Sequence, residues 1–142
     1  MSKRQVIALL AVVGGCVSTY LLLYKLGYIG TLSCSIGSCE TVNTSKWSLL
    51  LGVPIAAYGL AFYVATLGVA IVGSQPQLEG SPTVSAVLLG MSGVGVVFSG
   101  YLTALELFVI HAICMWCVIS ALIVTLIFVT SVFDYKELRA LD

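Results

Sequence analysis

The chain has 142 residues, of which 60% are hydrophobic and only 8% charged, far below the roughly 25% charged residues of a water-soluble domain. Such a composition excludes a globule with a polar coat and requires lipid as the solvent. A formal net charge of zero, from six basic and six acidic side chains, leaves no basic face to neutralise a phosphate backbone, so no nucleic-acid partner is expected.

A helix crosses the hydrocarbon core with about 20 apolar residues. Uncharged runs of that length predict an all-α integral membrane fold, a four-transmembrane-helix bundle in a single domain over 1–142. The first helix is expected over 6–24, between Lys3-Arg4 and Lys25. Within it, Val13-Gly14-Gly15-Cys16 loosely resembles a lipoprotein cleavage box. The apolar run continues through Val17-Ser18-Thr19-Tyr20-Leu21-Leu22-Leu23, however, past the roughly 7–15 residues of a signal's apolar region, and a retained helix is expected. Residues 25–46 are then an extramembrane loop between helices one and two. The second helix is expected over 47–73, with Pro54 near its start leaving a carbonyl unpaired and kinking it beside the loop.

From Thr83 to Phe133 the only carboxylate or basic side chains are Glu106 and His111. At about 1.5 Å per residue this stretch is roughly twice the membrane thickness, which predicts two helices, over 83–105 and 112–133. The turn is expected near Glu106 and His111, because a charge costs least at the water interface. Cys114 then falls just inside the fourth helix. Gly95, Ser99 and Thr103 recur at i, i+4 and predict close helix packing. Tyr24, Tyr28 and Trp47 lie near the proposed boundaries, where amphipathic rings prefer to sit.

Four helices place both termini on one face, and the 25–46 loop and the third-to-fourth turn on the other. Lys3, Arg4, Lys136 and Arg139 flank the termini, against Lys25 and Lys46 on the opposite face. This bias predicts a multi-pass cell-membrane protein with cytoplasmic termini and its cysteine loop on the outer face.

Of the five cysteines, four form two close pairs that this topology brings to one face. Cys114-Met115-Trp116-Cys117 is a C-x-x-C whose members share a helix face, within reach of a disulfide. The unpaired amides and dipole of a helix N-terminus favour thiolate there. Cys34-Ser35-Ile36-Gly37-Ser38-Cys39 lies in the loop, where Gly37 permits a tight turn. One pair is wet and one is at the lipid boundary, an arrangement that suits a relay passing disulfides by thiolate attack. A structural staple and a tetrahedral zinc site are the competing readings. No metal is expected, since zinc thiolates are usually presented by polar turns. Cys16 is expected to be a buried small hydrophobe.

The chain resembles the vitamin K epoxide reductase family, in particular its bacterial and archaeal homologues. The residues that carry the resemblance are Cys39-Glu40-Thr41-Val42-Asn43-Thr44-Ser45-Lys46-Trp47, then Gly52-Val53-Pro54 and Gly59, then Tyr101-Leu102, Phe108-Val109 and Cys114-Met115-Trp116-Cys117. The resemblance implies a bundle around a quinone of menaquinone, ubiquinone or vitamin K type. It also implies an oxidoreductase that takes electrons from a thioredoxin-fold protein. Cys34 is implied as the site of exchange with the partner, Cys39 as the residue that attacks the helix pair, Cys114 as its disulfide acceptor, and Cys117 as the residue facing the quinone. Ser45 matches the family's loop serine, implied to lie over the quinone pocket. Four positions after Cys117, where animal members place a tyrosine, this chain has Ala121. Quinone hydrogen bonding is therefore assigned to Ser48 or Ser120, and a quinone reductase coupled to disulfide formation is expected rather than an epoxide reductase. Glu106 and His111 are read as polar markers of the turn or as proton donors to the reduced quinone. No thioredoxin domain follows residues 138–142, so a separate DsbA-like partner is expected.

Overall fold

The computed structural model describes residues 3–28, 46, 49–111 and 114–140. Its helices are α1 (Lys3–Lys25), α2 (Ile55–Gly73), α3 (Pro82–Ala104) and α4 (Met115–Ala140), with α3 continuing into a π-helical segment over Leu105–Ile110. Four stretches, Lys3–Lys25, Ile55–Gly73, Pro82–Ile110 and Met115–Ala140, are long and apolar enough to cross a membrane. The fold is thus a four-helix membrane bundle. α1 packs against α2 and α4, and α3 chiefly against α4. Val94, Val97 and Phe108 are about three-quarters exposed on the outside, as lipid solvation allows.

Lipid supplies no hydrogen bonds, so polar groups within the helices must be satisfied internally. Thr19, Ser92, Thr103, Thr125, Thr130 and Ser131 do this by donating their hydroxyls to the carbonyl four residues back. The core joins Ile7 and Ala11 of α1, Tyr63 and Ala70 of α2, Leu88 of α3, and Ile123 and Ile127 of α4. Small residues set how closely these helices approach. A Cβ added at Gly14 would lie 2.2 Å from the Tyr63 ring, and one at Gly95 would lie 2.8 Å from both Phe62 and Val124. Gly95 therefore serves the packing its stripe predicts, while Ser99 and Thr103 turn toward a cavity. α1 runs unbroken through Cys16, which is exposed on its outer face rather than buried.

Two boundaries differ from the sequence expectation. Residues 49–54 are not helical: Leu49–Leu50 (β1) pairs antiparallel with Val53–Pro54 (β2), with Leu49 opposite Pro54 and Leu50 opposite Val53. Leu51 and Gly52 make the turn at φ 55° and 80°, the two positive values of a tight hairpin turn. The Pro54 ring also disfavours helix at Val53. α2 consequently starts at Ile55, not at residue 47, and Pro54 occupies its N-cap with ψ 138° instead of kinking it from within. The Tyr58 hydroxyl donates to the Leu50 carbonyl at 2.8 Å and ties the hairpin to α2.

The second difference is the turn into α4. Helical structure continues through Glu106 to Ile110, and the chain reverses at His111, whose φ of 57° is left-handed. Glu106 is therefore not at an exposed turn but is only 5% exposed.

At the opposite end of the bundle Arg4, 3% exposed, gathers three segments. Its guanidinium donates to the carbonyls of Gly73 at 2.5 Å, Leu78 at 2.6 Å and Ser81 at 2.7 Å. It also donates to Ser85 Oγ at 3.0 Å and to Asp134 Oδ2 at 3.3 Å. Lys3 and Glu137 form an exposed ion pair beside it.

Candidate functional site

Cys114 lies one residue before α4. Its carbonyl accepts the Val118 N–H at 3.0 Å, so it holds the N-cap position and not one inside the helix. Its side chain is completely buried, packed with Val17 and Leu21 of α1 and with Ile110 and Trp116. The Trp116 indole meets Tyr20 of α1 edge-on, with ring centroids 5.2 Å apart, which fixes the rotation of the first turn of α4. One turn on, the Cys117 thiol is within hydrogen-bonding reach of the Cys114 sulfur. Neither sulfur is bridged. The donated hydrogen bond from Cys117 favours thiolate at Cys114, and although burial acts the other way, its pKa is lowered to about 7. The unpaired amides of the α4 N-terminus act in the same sense.

A third polar group meets this pair from the π-helical segment. The Glu106 carboxyl lies within reach of the Cys114 backbone N–H and of the Cys117 thiol, whose one proton also faces the Cys114 sulfur. The wider π turn, a feature frequent at functional sites, rotates Glu106 into the bundle.

Cys117 and Glu106 both line a cavity between the helices, with Leu21, Pro54, Ile55 and Leu102 among its apolar walls. Polar groups enter it from Ser18 and Lys25 of α1, from Ser99 and Thr103 of α3, and from Ser120 of α4. The cavity volume is about 100 Å³, below the roughly 300–1,000 Å³ usual for small-molecule sites, with which it shares a mostly apolar lining and a few placed polar groups.

Of the residues singled out by sequence, Cys114, Cys117 and Glu106 come together, and Cys117, Glu106 and Ser120 share the cavity. Cys34, Cys39, Ser45 and Ser48 lie outside the described residues. Lys25 and Pro54 also line the cavity, so the chain flanking the cysteine loop attaches at this end. The sequence reading passed over Tyr63, whose hydroxyl meets Ser120 Oγ at 2.7 Å and donates to the Ser120 carbonyl at 3.0 Å. Lys25, read from sequence as a helix boundary and as part of the charge bias, was not expected at the cavity. Ala121 forms part of the wall and brings no hydroxyl.

A thiol pair at a helix N-terminus, one sulfur buried and the other opening onto an apolar cavity, is suited to moving electrons between a disulfide and a membrane-soluble acceptor. The model of the vitamin K epoxide reductase family matches residues 5–132, nearly the whole chain, and the protein belongs to that family of membrane oxidoreductases.

Proposed function

We propose that the protein is a thiol oxidase that re-forms the disulfide of a separate thioredoxin-fold, DsbA-like protein and passes two electrons to a quinone through its two cysteine pairs. The observation that carries this reading is that Cys117, and not Cys114, lines the apolar cavity while remaining within reach of the Cys114 sulfur.

In the proposed cycle a thiolate of the partner attacks the Cys34–Cys39 disulfide at Cys34. The Cys39 thiolate then attacks the Cys114–Cys117 disulfide at Cys114 and releases Cys117 as thiolate. Each exchange conserves electrons, since one disulfide forms as another breaks. A quinone held in the cavity would take up two electrons and two protons. Cys117 faces it, Ser120 is proposed to offer its hydroxyl to a ring oxygen from among the hydroxyls that line the cavity with Ser18, Ser99 and Thr103, and Ser45 and Ser48 are proposed to complete the pocket from the loop side. The apolar walls keep water from the thiolate and retain the isoprenoid acceptor.

The test is stoichiometry. Reduced protein in lipid nanodiscs, mixed anaerobically with a short-chain menaquinone, is expected to form one quinol for each Cys114–Cys117 disulfide closed. Stoichiometric bound zinc with no reducible disulfide would instead identify the cysteines as a metal site.

The termini are proposed to be cytoplasmic, on the strength of the lysine and arginine bias at that end. A membrane-impermeant thiol reagent added to intact cells is then expected to label Cys34 in the reduced protein. Labelling only after the cells are opened would invert the orientation.

A further inference from the structure

Tyr63 of α2 is 2% exposed and carries a hydroxyl into the centre of the bundle. Phenylalanine would fill the same space beside Gly14 with no polar group to satisfy, and burying a hydroxyl is costly unless it finds partners. It meets two atoms of one residue: Tyr63 Oη is 2.7 Å from Ser120 Oγ and 3.0 Å from the Ser120 carbonyl oxygen. A clamp between α2 and α4 needs only the carbonyl. The Oγ contact is made to a residue that lines the cavity together with Cys117, one turn earlier in α4.

The hydroxyls of Thr19, Ser92, Thr103 and Thr125 donate to the carbonyl four residues back, which aims each proton along its own helix. Ser120 is met by a hydroxyl from another helix. A phenol has one proton, and a serine hydroxyl has one proton and two lone pairs, so the contact has two arrangements. When Tyr63 donates to Ser120 Oγ, the serine proton is left for the cavity. When Tyr63 donates to the Ser120 carbonyl, the serine proton turns to Tyr63 Oη and a serine lone pair faces the cavity. The carbonyl keeps the phenol proton satisfied in the second arrangement, so the exchange strands no buried donor.

We propose that Tyr63 is a positioning residue for Ser120, presenting its hydroxyl to the cavity as donor to a quinone ring carbonyl and, after reduction, as acceptor from the quinol hydroxyl. This rests on the reading of the cavity as a quinone site. Two hydroxyl protons rotate, and no covalent bond is made or broken. Donation from Tyr63 also polarises the Ser120 hydroxyl, because linked hydrogen bonds strengthen one another at low dielectric. Ala121 brings no hydroxyl to this wall, and the Tyr63 phenol acts on it from the neighbouring helix through Ser120.

The experiment reads the carbonyl stretching bands of a short-chain menaquinone with isotope-labelled carbonyls, by infrared difference spectroscopy. The full-length protein is held in lipid nanodiscs with the Cys114–Cys117 disulfide closed, so no turnover occurs. One carbonyl band is expected below its position in empty nanodiscs. Ser120→Ala is expected to lose this downshift. Tyr63→Phe, which keeps the ring beside Gly14, is expected to lose most of it, and each variant to bind the quinone roughly two- to tenfold more weakly, on the scale of one hydrogen bond. The double variant is expected to match Ser120→Ala. A wild-type band in Tyr63→Phe, or a further shift in the double variant beyond Ser120→Ala, overturns the proposal. A wild-type protein whose bands stay at the empty-nanodisc position overturns it as well, but leaves standing the quinol stoichiometry, which tests the redox reading separately.

Discussion

Replacing Cys117 by alanine is expected to reduce quinone turnover to the uncatalysed background, a fall of roughly 10⁴-fold or more, as when an enzyme loses its nucleophile. The substitution is mild for the fold. Cys117 is only half-buried, one turn into α4, and alanine is the best helix former. The loss therefore reports the sulfur and not the scaffold. Cys34→Ala should behave differently. Dithiothreitol, small enough to reach the inner pair, should still drive quinone reduction, whereas a reduced thioredoxin-fold partner should not. Both variants are checked by following quinol absorbance under nitrogen with each reductant in turn. Normal turnover by Cys117→Ala would remove the relay altogether. Equal loss with both reductants in Cys34→Ala would mean that the loop pair is needed for more than partner exchange.

The contrast between the two sulfurs was only partly legible in the sequence. Spacing alone places Cys114 and Cys117 on one face of a helix, but it does not say which opens onto a cavity. That depends on α1 and on the π-helical segment closing over Cys114, which are long-range contacts. Glu106 went astray for an instructive reason. A charge is cheapest at the interface, so the sequence pattern puts the turn there. The structure carries Glu106 inward, where the N–H of Cys114 and the thiol of Cys117 only partly offset its burial, and neither partner can be read from charge placement. The start of α2 failed differently. Hydropathy cannot distinguish a hairpin from a helix over residues 49–54, although Gly52 and Pro54, both unfavourable in a helix interior, were present as signals. Tyr63 left no local trace, since its role depends on Gly14 of α1 and Ser120 of α4 being beside it. The four apolar runs, by contrast, were plain, because lipid demands a long uncharged segment for every crossing.

The same physics makes Arg4 the side chain outside the redox site whose loss should cost most. Arg4→Ala is expected to destabilise the bundle by about 3–5 kcal/mol, the cost of breaking a buried ion pair by removing one partner, against a typical total stability of about 5–15 kcal/mol. The positive-inside bias treats Arg4 as a topological marker, yet its guanidinium is spent on protein groups. It closes α1 onto the end of α2, the connection to α3, and α4. Without it the carbonyls of Gly73, Leu78 and Ser81 lose this donor. Among the described residues Asp134 keeps the Ser85 hydroxyl, at 2.5 Å. Removing the other partner should be milder. Asp134→Asn takes away a charge but leaves Arg4 its three carbonyls and Ser85, and a cost of about 1–3 kcal/mol is expected, on the scale of one charge-assisted hydrogen bond. The exposed Lys3–Glu137 pair beside it makes a control, because solvent-screened pairs contribute little, and Lys3→Ala should leave the unfolding midpoint nearly where it was. Unfolding in mixed micelles of increasing denaturing-detergent fraction, followed by helical circular dichroism, gives all three midpoints. The expected order is Arg4→Ala far below Asp134→Asn, with Lys3→Ala near wild type. An equal cost for Arg4→Ala and Asp134→Asn would show that the ion pair alone, and not the three carbonyls, holds this end of the bundle together.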